Sequence, residues 1–217
     1  MTKKAKQGEE LIFRPEQERS RLTMDKIMNA MEDLLKEKTY DEITMQEVAV
    51  RSETGISSIY ARFRDKQALV LGIHSRLSKQ TLTCLEELTE EDRWKNHSTA
   101  EIVASVVPHC VKYYRMHDAL MKAALRINLP VMRERQADAL NFATERFCAL
   151  LAPRYPGQSA KLKFAVGGGV QMLASLMYTS FLFHEIKNKK SRIADDKANI
   201  RLLTSAITAL IESSLSE

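Results

Sequence analysis

Residues 44–63 read Thr44-Met45-Gln46-Glu47-Val48-Ala49-Val50-Arg51-Ser52-Glu53-Thr54-Gly55-Ile56-Ser57-Ser58-Ile59-Tyr60-Ala61-Arg62-Phe63, and this stretch decides the fold. Thr44 stands three residues before Glu47, which is the spacing of a capping box. The Thr hydroxyl can accept from the Glu47 N–H while the carboxylate reaches back to the Thr44 N–H. A short helix with Met45, Val48 and Ala49 inward follows. Ser52-Glu53-Thr54-Gly55 breaks it, and a second short helix is predicted over 56–63. Val48, Ala49, Ile59 and Phe63 can pack the two helices together, leaving Ile56, Ser57, Ser58, Ala61 and Arg62 outward. Two short helices joined by a tight turn and braced by longer helices form a helix-turn-helix. In that scaffold the second helix enters the major groove of DNA and the first crosses the backbone.

The bracing helices are legible on both sides. Upstream, Pro15 suits a first helical turn, and Leu22, Ile27, Ala30, Met31, Leu34 and Leu35 recur at helical spacing up to Thr39-Tyr40. Downstream, Asp65 can cap a helix from Lys66 through Leu69, Val70, Ile73 and Leu77 to about Leu88. A polar stretch over 89–97 then marks a seam. Ser98 and Glu101 form a second capping box, opening a helix through Ile102, Val106, Cys110, Tyr113 and Tyr114. Further helices are predicted over about 119–127 and 130–151, followed by a break at Pro153 and Pro156-Gly157. Two apolar helices, about 159–187 and 195–214, end the chain around a charged loop over 188–194. The expected fold class is all-α.

Composition agrees. Of 217 residues, 7 are Gly and 5 Pro, too few turn formers for a protein of many short strands. The formal net charge of +5 leans toward a polyanionic partner without establishing one. Placement says more: over 51–80, Arg51, Arg62, Arg64, Lys66, Arg76 and Lys79 face only Glu53 and Asp65. Cys84, Cys110 and Cys148 are odd in number and never in a CxxC pair, which fits a reducing compartment and no thiolate metal site. The five histidines show no HxxxH or HExxH spacing, and no GxSxG, P-loop or dinucleotide fingerprint is present. No catalysis, cofactor or metal is expected. Without an apolar leader, and with polar residues and glycines in its most apolar helix, the chain is expected in the cytoplasm, off the membrane.

The residues Ile27-x-x-Ala30-x-x-x-Leu34, Tyr40, Thr44-x-x-x-Val48-Ala49 and Ile59-Tyr60-x-x-Phe63-x-x-Lys66-x-x-Leu69 stand in one register. Through them, residues 20 to about 77 resemble the DNA-binding domain of the TetR (tetracycline repressor) family. The remaining 130 or so residues match only in helical layout. The resemblance implies a flexible arm over 1–14, a three-helix DNA-binding domain over 15–80, and a helical effector-binding and dimerisation domain over 81–217. Four positions depart from the pattern: the family usually has Gly where Thr39 and Glu53 stand, often Ser at Gly55, and Gly at Ser57. Gly55 is the expected source of flexibility in the turn.

Chemistry and matching positions together assign roles. Thr44, Tyr60 and Lys66 are expected to contact phosphates, which positions the protein without reading sequence. Gln46, Ile56, Ser57, Ser58 and Arg62 are the candidates for base readout, since Gln suits adenine, Arg guanine, and Ile a thymine methyl. A half-buried packing role for Tyr60 and a solvated Gln46 are the bland alternatives.

In the second half the resemblance implies a four-helix dimer interface, for which Val170, Leu173, Met177, Ile200, Leu203, Ile207, Leu210 and Ile211 are the candidates. Gly167-Gly168-Gly169 indicates close helix approach, a kink beside a cavity, or a helix break. A small-molecule pocket is likewise implied. Its candidate lining is Trp94, His109, Tyr113, Met116, His117, Met121, Phe142, Phe147, Met172, Tyr178 and Phe181, most of which are equally well ordinary core. Met and aromatic content favours an apolar or aromatic effector. The expected function is a homodimeric, sequence-specific transcriptional regulator, a repressor released from a pseudo-palindromic operator by that effector. The alternative is a dimeric ligand-binding or interaction protein with a vestigial DNA-binding head, supported by the departures at Thr39 and Glu53.

Overall fold

The computed structural model of the chain describes residues 18–183 and 195–215, with side chains over 20–180 and 195–215. The expected arm, the loop over 188–194 and the side chain of Phe181 lie outside the described residues. Every regular element among the described residues is helical. In chain order they are α1 (Glu18–Glu37), α2 (Met45–Arg51), α3 (Ile56–Tyr60), α4 (Lys66–Leu88), α5 (Glu91–Trp94), α6 (Thr99–Met116), α7 (Asp118–Ile127), α8 (Pro130–Leu151), a 3-10 turn (Ala152–Arg154), α9 (Ser159–Phe183) and α10 (Asp196–Leu215). Two features were not foreseen. A one-turn helix, α5, stands within the polar seam, and α3 ends at Tyr60 rather than Phe63. Backbone bonds from Ala61 to Ser57 and from Phe63 to Ile59 carry the chain on as a turn.

The chain divides into two compact units, Met1–Lys79 with Ala119–Gln136, and Gln80–Asp118 with Ala137–Glu217. In the first, the predicted apolar stripe of α1 is core: Ile27, Ala30, Met31, Leu34 and Leu35 are buried, as are Leu69, Val70, Ile73 and Leu77 of α4. Leu22 is the exception and is exposed. Asp65 caps α4 by accepting from the Ala68 N–H at 2.8 Å. Arg76 of α4 reaches α1, donating to Glu32 at 2.6 Å.

The second unit is built around α6, α9 and α10. The Ser98–Glu101 capping box opens α6, which continues through Pro108 and buries Ile102, Val103, Val106, Val107 and Val111. Arg115, near its end, grips Asp196 at the start of α10 through Nε (2.8 Å) and a terminal nitrogen (2.7 Å). The three glycines lie inside an unbroken α9. A Cβ at Gly168 would stand 3.0 Å from Leu210, and one at Gly169 3.0 Å from Ile207. Close approach of α9 and α10 within one chain is therefore what the glycines permit. Met177, Leu203, Ile207 and Ile211, four of the dimer-interface candidates, are buried within the chain's own packing. Val170, Leu173, Ile200 and Leu210 are half-buried.

Candidate nucleic-acid interface

The first unit presents α2 and α3 on a braced base. Thr44 caps α2 as expected: the Glu47 N–H donates to its hydroxyl at 3.2 Å, and the Thr44 N–H donates to the Glu47 carboxylate at 2.8 Å. The Thr44 hydroxyl also donates to that carboxylate at 2.9 Å. Lys38, the residue after α1, completes the group by pairing with Glu47. Lys38 and the two Thr44 donors together hold the carboxyl at about 2, far below the ordinary 4.5. On the next turn, Arg51 forks onto both oxygens of Glu37 at 2.9 Å each. These pairs flank an open cleft of about 310 Å³ lined by Leu34 and Glu37 of α1, Lys38 and Thr44 of the connection, and Gln46, Glu47, Val50 and Arg51 of α2. None of the expected effector residues lines it. The two bridges, Lys38 to Glu47 and Arg51 to Glu37, stand one turn apart and tie α2 to the end of α1.

The turn between α2 and α3 is more regular than its sequence suggests. The Glu53 N–H donates to the Val50 carbonyl at 3.2 Å and the Thr54 N–H to the Ala49 carbonyl at 3.1 Å. That pair of bonds is a Schellman ending, which requires a left-handed residue at the first position past the cap. Glu53 occupies it with φ +54°. The family's customary glycine thus has a physical reason, and here a glutamate takes the same conformation. Gly55, expected to supply the flexibility, does not: its φ is −67° with extended ψ, and it is the N-cap of α3. At Thr39 the backbone is not left-handed. Its N–H and hydroxyl donate to Glu42 at 2.9 and 2.8 Å, closing the end of α1. The two departures that favour a vestigial head therefore leave its geometry intact.

Side-chain burial sorts this region cleanly. Val48, Ala49, Ile59 and Phe63 are buried, as the packing role assigned to them requires. Thr44, Gln46, Ser57 and Ala61 are exposed, and Ile56, Ser58, Arg62 and Lys66 half-buried. Tyr60 is 49% exposed, which argues against the packing role. Two basic candidates are engaged within the unit. Lys66 donates to the Tyr40 and Ile43 carbonyls at 2.7 Å each, with its ammonium 4.3 Å from the Tyr40 ring centre. An ammonium has three donors, so the two carbonyls leave one hydrogen beyond them. Arg62 donates from one nitrogen to both the carbonyl and the hydroxyl of Ser58 at 2.9 Å, and from the other to Ser20 at 3.2 Å.

The effector candidates of the second half are scattered. Trp94 is core: it is buried, and its ring N–H donates to the Leu88 carbonyl at 2.7 Å. Arg154 clamps the same seam by donating to the Trp94 and His97 carbonyls at 2.8 and 3.0 Å. His109, Met116 and Met172 are exposed, and Met121 belongs to the first unit. Phe142 and Phe147 are half-buried on α8. Tyr113 and His117 do come together, their ring centres 4.7 Å apart, and Tyr113 shares a 2.9 Å hydrogen bond with Thr81. Burial raises the Tyr178 phenol and lowers the His117 imidazole. Tyr114, absent from the sequence-based candidates, belongs with this aromatic group. Burial, then the neighbouring Cys110 and the Tyr178 and Tyr113 phenols, push its phenol upward. Adjacency to Tyr113 was the signal that could have found it. Among the described residues, no three His, Cys, Asp or Glu side chains converge to hold a metal, and no helix is long and apolar enough to cross a membrane.

Residues 27–73 match the family described as bacterial regulatory proteins, tetR family. No curated protein sequence matches the chain. Among solved structures, a TetR-family transcriptional regulator from Mesorhizobium loti superposes with a TM-score of 0.67 at 15% identity, covering 91% of this chain and 98% of its own. A tetR-family regulator from Streptomyces coelicolor gives 0.62 at 16% identity, covering 90% and 89%. The regulator FadR from Bacillus subtilis, solved with stearoyl-CoA, gives 0.53 at 15% identity, covering 86% and 96%. At these identities the structures establish a shared fold.

Proposed function

We propose that the chain is a sequence-specific, DNA-binding transcriptional regulator of the tetR type, a reading supported by the match of residues 27–73 to the bacterial regulatory proteins, tetR family. It acts as a homodimer on a pseudo-palindromic operator, and a small apolar or aromatic effector releases it. The observation that carries this reading is the division of labour in 44–63. Every large apolar residue that should pack α2 against α3 is buried, while Gln46, Ser57 and Tyr60 stand exposed. Tyr60 and the remaining donor of Lys66 contact phosphates, whereas Thr44, whose N–H and hydroxyl both donate to Glu47, serves as the cap of α2. Gln46, Ile56, Ser57 and Ser58 face base edges.

Dimerisation is supported by apolar side chains on α9 and α10 that a single chain leaves exposed: Phe164, Met172 and Leu202. Val170, Leu173, Ile200 and Leu210 of the same two helices are half-buried. An effector in the second unit is supported by the half-buried aromatic side chains of Tyr113, Tyr114, His117 and Tyr178, and by the stearoyl-CoA held by the similarly folded FadR. Selection of binding sites from random duplex DNA tests the reading. The expected result is an enriched motif of two inverted half-sites spaced by about one helical turn. A pool with no enriched sequence overturns it.

A further inference from the structure

Arg62 has the residue type of a base reader, but its guanidinium is turned back into the protein. One terminal nitrogen uses both of its hydrogens on Ser58, at 2.9 Å to the carbonyl and 2.9 Å to the hydroxyl oxygen. The other nitrogen holds Ser20 of α1 at 3.2 Å. The Nε hydrogen is buried without a partner. A guanidinium has donors only and accepts nothing. The Ser58 hydroxyl must therefore accept from Arg62, and its own proton has to point elsewhere. Among the described residues no other partner of that hydroxyl is seen. Ser58 sits mid-way along α3, half-buried between exposed Ser57 and buried Ile59.

Taking the DNA-reading role above as its basis, we propose that Arg62 is a positioning residue that orients the Ser58 hydroxyl and biases it toward donating, by occupying one of its two lone pairs. A free serine hydroxyl can donate or accept and so tolerates any base. With one lone pair held by Arg62 and its proton turned away from the guanidinium, it favours a base edge that offers an acceptor. In the major groove these are guanine N7 and O6, adenine N7 and thymine O4; the cytosine N4 amino group offers only donors. The Arg62–Ser20 bond anchors the clamp to α1. Through it, the orientation of one hydroxyl on α3 is set by the bracing helix.

The test is a measurement of affinity for operator variants carrying each base at every half-site position, starting from the motif selected by the unaltered protein. Ser58→Ala should flatten the preference at a single position per half-site, raising relative affinity for cytosine there by about two- to tenfold, the worth of one hydrogen bond. Arg62→Met keeps the stem and removes the donors. It should relax preference at that same position, and the double variant should relax it no further than either single change. Because Arg62→Met also removes a charge, affinity for all sequences falls together, so the readout is preference after normalisation. Ser20→Ala leaves Arg62 in place, so it remains informative should Arg62→Met not fold, and it should give a smaller relaxation at the same position. Relaxation by Arg62→Met at a different position, or specific loss of guanine there, would make Arg62 a direct reader and overturn the proposal. So would a uniform loss with unchanged preference. Absence of any selected motif for the unaltered protein overturns the DNA-reading role itself, an outcome distinct from these.

Discussion

Replacing Glu53 with glycine should stabilise the protein, although the substitution removes a side chain and adds backbone freedom. Glu53 holds φ +54° because the Schellman ending of α2 demands a left-handed residue there. For a residue with a Cβ that conformation costs about 1–2 kcal/mol. Glycine avoids the cost but loses more freedom on folding, about 0.5–1 kcal/mol relative to alanine. The net gain is about 0.5–1 kcal/mol. For a chain of 217 residues this is roughly 1–4 °C in Tm. The assay is urea unfolding with m held constant, so that a shift in midpoint reports stability alone. Glu53→Ala is the control: it removes the same exposed carboxylate but keeps the Cβ, and should lie within about 0.5 kcal/mol of the parent. If Glu53→Ala stabilises as much as Glu53→Gly, the effect is one of charge and the strain argument fails. It fails equally if Glu53→Gly is destabilising.

Other substitutions separate effects in the same way. The glycines of α9 should respond in a graded series to alanine. Gly167→Ala meets only Thr144 at 3.6 Å and should gain up to about 1 kcal/mol of helix propensity. At Gly168 the flexible tip of Leu210 can yield, making the change near neutral. At Gly169 the branched, buried Ile207 cannot, and overpacking of about 1–3 kcal/mol should outweigh the propensity gain. Thermal melts ordered otherwise would reject close packing as the reason for the glycines. Burial, with nearby Arg135 adding to it, lowers the His74 imidazole from 6.5 to about 4. The unfolded chain therefore takes up that proton first, and stability falls as pH drops from about 6.5 to 4, by on the order of 3 kcal/mol in all. His74→Leu should flatten that interval in a pH series of unfolding midpoints, leaving the Glu47 contribution, which is lost only as pH falls from about 4.5 toward 2. Tyr60→Phe should weaken binding to every DNA sequence alike in a filter or anisotropy titration. Altered sequence preference would contradict a phosphate contact.

The helices and their caps were legible because their causes are local. Thr44 with Glu47, Ser98 with Glu101, and Asp65 each carry the cap that spacing implied. Other features depend on partners far away in the chain. The sequence offered no reason for Glu53 to be left-handed where Gly55 stood two residues later, since the conformation follows from how α2 ends. Arg62 reads as a base contact until Ser20, 42 residues away, is found beside it. The stripe of Leu203, Ile207 and Ile211 is apolar whether it faces α9 of the same chain or a partner, so periodicity alone could not choose. The aromatic candidates were harder still. Phe142, Tyr113 and Trp94 have similar chemistry, and only packing distinguishes a seam anchor such as Trp94 from a residue beside an aromatic group.

The most direct test of the central claim is hydrogen–deuterium exchange of the full chain with and without mixed-sequence duplex DNA at low salt. Phosphate contacts give appreciable binding to any sequence under those conditions. Added protection is expected at 44–66, centred on α2 and α3, and should disappear as salt is raised. Protection confined to α9 and α10, or none at any salt, would contradict the claim that this helix-turn-helix engages DNA.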